Sequence, residues 1–252
     1  MTRVIDLNAD LGEDESPDGI ARDIAIMNVV SSCNIATGGH AGSEKSMRTM
    51  LSAAKAKAIA PGAHPSYPDR AGFGRTSMNI TLTDLVVSLT EQLRTIAAIA
   101  AEVGVALTHI KPHGALYNDA QDDPDLARLL VDIASQSRLP LMGMAGSLIQ
   151  QASSEGNIGF ITEAFIDRRY TSEGRLVPRS EAGAVIAQED QRIRQGLDLA
   201  RGAALTTQDG STLTVPAQSL CLHSDSDGAL ETATKMRRAL EQAGMVIGTV
   251  GL

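Results

Sequence analysis

Short apolar runs and longer segments with helical periodicity alternate along most of this chain. The apolar runs predict strands at 4–8, 32–35, 59–63, 107–110, 141–144, 160–163, 220–223 and 246–250. The periodic segments predict helices at 20–30, 43–57, 82–103 and 124–135. Repeated alternation of strand and helix is typical of a parallel sheet, either open or closed into a barrel.

Two segments depart from this alternation. Residues 206–215 place Asp209-Gly210 between threonine-rich flanks, which predicts a β-hairpin. Residues 61–74 are rich in proline and glycine and are long for a loop between strand and helix, which is typical of a functional loop. No linker interrupts the chain, so we expect a single domain over residues 1–252.

Composition narrows the range of partners. The chain has 30 acidic and 22 basic residues, a formal net charge of −8, and no basic run, so we expect no nucleic-acid partner. It has no apolar stretch of bilayer length and no leader-like start, so we expect no membrane association and a cytoplasmic location. Tryptophan is absent and only six residues are Phe or Tyr, which favours a small polar or anionic substrate.

The polar residues at strand ends suggest an enzyme. Four of the five histidines lie close to the C-terminal end of a predicted strand: His40, His64, His113 and His223. In a barrel these ends meet at one rim, where loops gather catalytic side chains from distant parts of the sequence. Cys33 and Cys221 fall in predicted buried strands without a C-x-x-C spacing, and we assign them no function.

The first strand carries polar residues with a period of two. Asp6, Asn8 and Asp10 therefore share one face, and we expect them to point into the barrel. An alternative is that Asp10 or Glu13 caps the following helix. The glycine-rich segment at 34–42 offers backbone N–H groups to an anion. It is not a phosphate-binding loop, because Glu44 stands where such a loop requires glycine.

Two later segments carry cations. Arg70 and Arg75 follow the third strand and could bind a carboxylate or phosphate in bidentate fashion. Lys111 and His113 are catalytic candidates, as a cation for developing negative charge and as a proton donor. His109 and His113 would lie roughly 13 Å apart in an extended strand, which is too far for one metal ion.

These segments together resemble the LamB/YcsF family, over nearly the whole chain. The similarity is carried by residues 6–13, 34–42, 62–70, 111–118 and 163–170. Its most specific strings are Gly-Ala-His-Pro-Ser-Tyr-Pro-Asp-Arg at 62–70 and Lys-Pro-His-Gly-Ala-Leu-Tyr at 111–117. The resemblance implies an α/β fold, an irregular (β/α) barrel like those of glycoside hydrolases and polysaccharide deacetylases. It also implies ATP-dependent opening of 5-oxo-L-proline to L-glutamate together with the B and C subunits of a 5-oxoprolinase.

On that reading the site residues take specific roles. Asp10 or Glu13 is the base, His113 or His64 is the acid, and Lys111 neutralises a phosphate or oxyanion. Arg70 or Arg75 binds the substrate carboxylate. The remaining substrate-binding candidates are Asn8, Asn34, His40, Tyr117, Glu163 and His223. Because this chain has no phosphate loop, we expect ATP with Mg²⁺ to act through the partner subunits.

The chain departs from the family pattern beside the predicted site. The family usually has a cysteine and an aromatic residue where this chain has Thr37 and Gly39. It usually has Ser-Phe-Gly where this chain has Asp14-Glu15-Ser16, and Gly-Asp where this chain has Ser224-Asp225. We expect Gly39 to open the pocket wall beside His40. A related lactam or amide therefore remains an alternative substrate.

Two other functions remain open from the sequence. One is a metal-dependent deacetylase or other amidohydrolase on the same barrel, with Asp10, His40 and His64 around a divalent ion. The other is a non-catalytic regulatory protein that binds a small anion. The ATP-coupled reading needs no metal of this chain's own, so we expect no tightly bound metal.

Overall fold

The structure is a computed structural model that describes residues 3–223 and 228–250, with the side chain of His223 outside the described part. The strands are β1 Val4–Leu11, β2 Ser32–Ala36, β3 Ala60–His64, β4 Leu141–Met144, β5 Phe160–Phe165, β6 Ala204–Thr206, β7 Thr212–Thr214, β8 Ser219–His223 and β9 Val246–Ile247. The helices are α1 Pro17–Ile26, α2 Glu44–Lys57, α3 Leu82–Val103, α4 Gly114–Asp119, α5 Pro124–Ser137, α6 Leu148–Glu155, α7 Glu189–Arg201 and α8 Ala229–Gln242.

Parallel strands form a curled sheet in the order β3-β2-β1-β8-β5-β4, and β9 pairs with the first residues of β1. The two outer strands of this order are joined by Ile110, which bridges Ala63 of β3 and Leu141 of β4. Backbone hydrogen bonds of 2.9 Å from the Ala63 N–H to His109 and from the Ile110 N–H to Pro140 hold it on both sides. The predicted (β/α) barrel is confirmed, and the position between β3 and β4 is occupied by a very short extended segment around Ile110.

The strand predicted at 107–110 is wrong in extent. Only Ile110 bridges neighbouring strands, and the chain reaches Pro112 two residues later. Proline has no N–H to continue a ladder, which limits how far this segment can pair. The other departures are at element ends: α1 begins at Pro17, after the capping side chain of Ser16, and β9 has two residues.

Successive side chains of β1 point alternately into two different buried environments. Leu7, Ala9 and Leu11 are fully buried in the apolar core between the sheet and the surrounding helices. Asp6, Asn8 and Asp10 are also buried, but they contact polar side chains from β2, β5 and β8 inside the barrel. The predicted inward face of β1 is confirmed. The centre of the barrel is therefore polar, and its hydrophobic core lies outside the sheet.

The predicted hairpin is also confirmed: β6 and β7 pair antiparallel, with Leu205 opposite Leu213. In the described ranges, no helix is both long enough and apolar enough to cross a membrane.

Candidate active site

A cavity of about 460 Å³ opens where the barrel strands end. All five predicted catalytic residues line it: Asp10, Glu13, His64, Lys111 and His113. They come from the ends of β1 and β3 and from the segment after Ile110. The structure thus brings together side chains that lie up to a hundred residues apart in sequence.

Asp10 and Lys111 form the floor of this cavity, and Glu163 lies beneath them. The Lys111 ammonium group lies 2.8 Å from Asp10 Oδ1, 2.8 Å from Glu163 Oε1 and 3.2 Å from Cys221 Sγ. Burial alone would lower the pKa of Lys111, but the charges of Asp10 and Glu163 outweigh it and raise that pKa well above its usual value. Lys111 is therefore a permanent cation whose charge is balanced by neighbouring carboxylates.

Hydrogen-bonded amide side chains beneath the cavity hold these floor residues in position. Asn34 Nδ2 donates to Asn8 Oδ1 (2.8 Å) and to Asp10 Oδ1 (2.7 Å). Asn8 Nδ2 in turn donates to Glu163 Oε1 at 3.0 Å, and His109 Nε2 lies 2.6 Å from Asn34 Oδ1. Because Asn8, Asn34 and Glu163 are fully buried beneath the cavity, they position Asp10 and Lys111. Their predicted role in contacting substrate is not supported by this placement.

Three imidazoles and a carboxylate meet above the floor. His64 Nε2 lies 3.0 Å from His113 Nδ1 and 3.4 Å from Asp10 Oδ2. Glu13 Oε1 lies 3.4 Å from His113 Nδ1 and 3.0 Å from His40 Nε2. The rings of His40 and His113 stack in parallel, with centroids 3.6 Å apart.

Burial keeps two of these rings neutral. It lowers the pKa of His40 to about 2, and the charge of His64 acts in the same direction. Burial, followed by the charges of His64 and His40, also lowers the pKa of His113 well below its usual value. Two stacked neutral rings are compatible with the close parallel contact, whereas two stacked cations would repel each other.

Backbone geometry places Glu13 at this site. Gly12 follows β1 with a φ of +78°, a conformation that favours glycine, and so turns the chain towards the cavity. Its N–H donates to Asp23 Oδ2 of α1 at 2.8 Å, and Asp23 is fully buried. The alternative that Glu13 or Asp10 caps the first helix is wrong, because Ser16 accepts from the Gly19 N–H as the cap.

The long loop after β3 places His113. The ring nitrogen Nε2 of His113 lies 3.0 Å from the carbonyl oxygen of Phe73. The N–H of Ala115 donates to the Gly74 carbonyl at 2.8 Å, which fastens the loop to the start of α4. A Cβ at Gly114 would lie 2.4 Å from that Gly74 carbonyl oxygen, so only glycine permits this contact.

The two predicted substrate arginines are separated by the structure. Arg75 lines the cavity, with its guanidinium carbon 4.7 Å from the ring centre of Phe73. Arg70 lies outside it and donates to the carbonyl oxygens of Gly38 (2.9 Å) and Gly42 (2.8 Å). Arg70 therefore stabilises the glycine-rich loop, and its predicted contact with substrate is not supported.

Further cations line the cavity that the sequence did not single out: Arg168, Arg175 and Arg179. Arg175 is paired with Asp122 at 2.7 Å. Arg168 is buried, and burial together with the charge of Arg179 lowers its pKa to about 10. The only sequence signal for Arg168 was its place in the 163–170 motif, and Arg175 and Arg179 carried none.

Three further residues complete the description of the site. Tyr117 lines the cavity as predicted, and burial together with the charge of Glu163 raises the pKa of its phenol well above the usual value. Cys221, to which we assigned no function, lies against Lys111. The backbone of His223 pairs with Asp10 across β1 and β8, but its predicted role concerns a side chain outside the described residues.

The expectation that Gly39 opens the pocket wall is wrong. A Cβ at Gly39 would lie 2.4 Å from Ser66 Oγ and 2.6 Å from Gln92 Oε1, so these side chains already fill the space. Thr37 Oγ1 lies 2.9 Å from the same Gln92 oxygen. The aromatic contact to His40 comes from Phe73, whose ring centre is 5.3 Å away. The two departures at Thr37 and Gly39 thus accommodate Gln92.

Among the residues that the structure describes, those best placed to hold a metal ion differ from the set predicted for one. Glu13, His40, His64 and His113 each offer one donor atom, and these atoms lie within 4.8 Å of one another. This group shares His40 and His64 with the predicted set. Asp10 lies beside it, but its Oδ1 is already bonded to Lys111 and Asn34.

Comparison with known sequences agrees with the resemblance seen in the motifs. The sequence model of the LamB/YcsF family matches residues 5–251. A Streptomyces coelicolor protein named as the A subunit of 5-oxoprolinase is 40% identical over 247 residues, covering 97% of this chain and 99% of that protein.

Comparison with solved structures agrees with the barrel. The lactam utilization protein of Thermus thermophilus superposes with a TM-score of 0.89 at 34% identity, covering 98% of this chain and 99% of that chain. The catalytic domain of a peptidoglycan N-acetylglucosamine deacetylase from Eubacterium rectale superposes with a TM-score of 0.56 at 11% identity, covering 99% of this chain and 89% of that domain. The second likeness concerns the fold alone.

Proposed function

Because this chain belongs to the LamB/YcsF family, we propose that it hydrolyses the cyclic amide of 5-oxo-L-proline to L-glutamate as the A subunit of an ATP-dependent 5-oxoprolinase. The observation that carries this proposal is the convergence of Asp10, Glu13, His64 and His113 on one cavity that also contains Arg75. Proton-transferring groups beside a cation suit a small amide that bears a carboxylate.

The size and charge of the cavity support a small anionic substrate. Its volume of about 460 Å³ lies within the range of small-molecule sites, and arginines occupy its wall above the carboxylates. Arg75 and Arg168 are the donors we assign to the substrate carboxylate. This arrangement would leave the lactam carbonyl directed at the floor, towards Lys111 and the imidazoles.

Ring opening requires a balanced set of transfers. Water adds its oxygen to the carbonyl carbon, the C–N bond breaks, and the ring nitrogen takes up a proton. Glu13 or Asp10 would accept the proton from water. His113, whose ring burial keeps neutral at rest, or His64 would take up that proton and pass it to the nitrogen. An amide resists attack near neutral pH, which is the reason for coupling the reaction to ATP.

ATP coupling would activate the carbonyl oxygen by transferring the γ-phosphoryl group to it, with release of ADP. Breaking the C–N bond after water has attacked would leave the phosphoryl group on the new carboxyl group, and a second water molecule would release it as inorganic phosphate. One ATP and two water molecules would thus be consumed for each ring opened. We propose that ATP with Mg²⁺ is bound by the B and C subunits, since the sequence of this chain lacks a phosphate loop. A cytoplasmic location, where ATP is available, remains a prediction.

The test is reconstitution. Purified protein, alone and with the B and C subunits, is incubated with 5-oxo-L-proline and ATP, and glutamate and ADP are measured. We expect glutamate only from the complete mixture, with ADP release dependent on 5-oxoproline. Glutamate from the isolated chain without ATP would contradict the coupled reaction.

A matched variant separates chemistry from assembly. His113→Ala should abolish glutamate formation while the complex still elutes as one species in size-exclusion chromatography. Lys45→Met, at an exposed position on α2, should change neither measurement. Full activity of His113→Ala would remove this histidine from the reaction.

A second candidate function is a metal-dependent amidohydrolase that needs no ATP. The observation that favours it is the donor group of Glu13, His40, His64 and His113. The reconstitution experiment distinguishes the two functions, because only this second function permits amide hydrolysis by the isolated chain after metal is added. A chain that binds 5-oxoproline but is inactive in every mixture would instead be a regulator.

A further inference from the structure

Two histidines of the cavity face each other across a short gap. His64 Nδ1 lies 2.7 Å from the carbonyl oxygen of Lys111, and His113 Nε2 lies 3.0 Å from that of Phe73. A carbonyl oxygen can only accept, so each of these nitrogens carries a hydrogen. The other two ring nitrogens, His64 Nε2 and His113 Nδ1, point at each other and lie 3.0 Å apart.

Carboxylate oxygens point at the same place. Glu13 Oε1 lies 3.4 Å from His113 Nδ1, and Asp10 Oδ2 lies 3.4 Å from His64 Nε2. Both carboxylates are nearly buried, with side-chain exposures of 10% and 8%. Donor atoms of two imidazoles and two carboxylates thus converge on one place. A cation at that place would be attracted by both carboxylates.

We propose that Glu13, His64 and His113 bind a divalent transition-metal ion at the wall of this cavity, with the ring of His40 stacked on that of His113 beside it. Donor atoms 2.0–2.2 Å from a tetrahedral ion lie about 3.3–3.6 Å apart. The separations of 3.0 Å and 3.4 Å around His113 are close to that value, and the three donor atoms lie within 4.8 Å of one another. This inference does not depend on the proposed substrate.

The hydrogen bonds behind the two rings fit this assignment. Histidines that bind metal ions commonly donate their second ring N–H to a backbone carbonyl or carboxylate, which fixes the tautomer and the ring plane. His64 and His113 both do this, through Lys111 and Phe73. Two imidazoles and one carboxylate favour Zn²⁺ or a similar first-row ion over Mg²⁺ or Ca²⁺, which prefer oxygen ligands. When bound, such an ion polarises a water molecule or a carbonyl oxygen.

The test measures binding of the metal alone. The full-length protein is stripped with chelator and titrated with Co²⁺ and with Zn²⁺ by calorimetry, and the visible absorption of the Co²⁺ form is recorded. We expect one ion per chain, a Co²⁺ spectrum of low coordination number, and a rise in Tm on adding either metal. Mg²⁺ should not compete at a hundredfold excess.

Single substitutions identify which residues bind the metal ion. His113→Gln and Glu13→Gln should each weaken Co²⁺ binding by about a hundredfold or more, since losing only the hydrogen-bond partner behind a metal ligand already costs about 10–100-fold. Glu15→Gln, which changes an exposed carboxylate in the same segment, should retain stoichiometric binding. Circular dichroism of each variant establishes that it is folded.

Three results would overturn the proposal. One is the absence of Co²⁺ or Zn²⁺ binding below millimolar concentration, and another is unchanged binding in a folded His64→Gln/His113→Gln double variant. The third is imidazole ¹⁵N NMR of metal-treated protein that shows a hydrogen on His64 Nε2 or His113 Nδ1, because a shared proton would then occupy the gap.

Discussion

The ammonium group of Lys111 lies 2.8 Å from Asp10 Oδ1, and this contact joins the end of the first strand to the short extended segment around Ile110. Glu163 of β5 contacts the same ammonium group, also at 2.8 Å. All three side chains are buried. Lys111 therefore holds two carboxylates in place as well as supplying positive charge beneath the cavity.

Lys111→Met should lower both stability and turnover. The substitution leaves Asp10 and Glu163 buried without their cation, and breaking a buried ion pair in this way costs about 3–5 kcal/mol. Turnover in the reconstituted enzyme should fall by about two orders of magnitude, comparable to the loss of one oxyanion donor. Chemical denaturation and initial rates on folded protein measure the two effects, with Lys45→Met as the control. A variant as stable as the parent would show that the carboxylates find other partners.

Arg75→Gln should weaken substrate binding more than Arg70→Gln. Arg75 lines the cavity, whereas Arg70 is bonded to the carbonyls of Gly38 and Gly42. Loss of a charge-assisted hydrogen bond of about 1.5–3 kcal/mol corresponds to a rise of about 10–150-fold in KM for 5-oxoproline. Steady-state kinetics of both variants provides the comparison. Equal KM values would exclude Arg75 as the carboxylate ligand.

Gly39→Ala should destabilise the protein by about 1–3 kcal/mol, the usual cost of overpacking. The new Cβ would lie 2.4 Å from Ser66 Oγ and 2.6 Å from Gln92 Oε1, and both side chains are held by hydrogen bonds. Gly248→Ala is the control, because its nearest neighbour would be 3.6 Å away. Urea denaturation of the two variants tests this. A stable Gly39→Ala protein would mean that Gln92 moves freely.

Asp23 should make the protein less stable as pH rises. Burial raises the pKa of Asp23 from 3.8 to about 6, against the opposing hydrogen bond from the Gly12 N–H. Between these two values the unfolded chain loses the proton while the folded chain keeps it, so stability falls from about pH 4 to about pH 6. One pKa unit corresponds to about 1.4 kcal/mol, so the loss attributable to Asp23 is about 3 kcal/mol.

The variant Asp23→Asn removes this titration and keeps an oxygen that can accept from Gly12. The difference in unfolding free energy between parent and variant should therefore change across pH 4–6 and be constant below it. Urea denaturation at several pH values measures this difference, and Asp18→Asn, at an exposed position on the same helix, is the control. A difference that does not vary with pH would contradict the raised pKa.

The sequence by itself determined the order of strands and helices, the hairpin at 206–215 and the inward face of β1. These features are local: apolar periodicity reports which side of an element is buried, and alternation along a strand assigns Asp6, Asn8 and Asp10 to one face. The motifs at 62–70 and 111–117 also determined the family. The sequence therefore placed Asp10, His64, Lys111 and His113 correctly among the residues of one cavity.

Only the tertiary structure decided how those side chains meet. The closure of the barrel depends on one residue, Ile110, which no pattern distinguishes from its neighbours. The approach of Glu13 to His113 depends on the φ of Gly12 and on the loop carbonyl of Phe73, both set by packing between distant segments. For the same reason sequence could not separate Arg75 from Arg70, or show that Gln92 fills the space beside Gly39. Periodicity predicts which face of a strand or helix a side chain occupies. The distances between side chains on different strands are set only when those strands close around a shared interior.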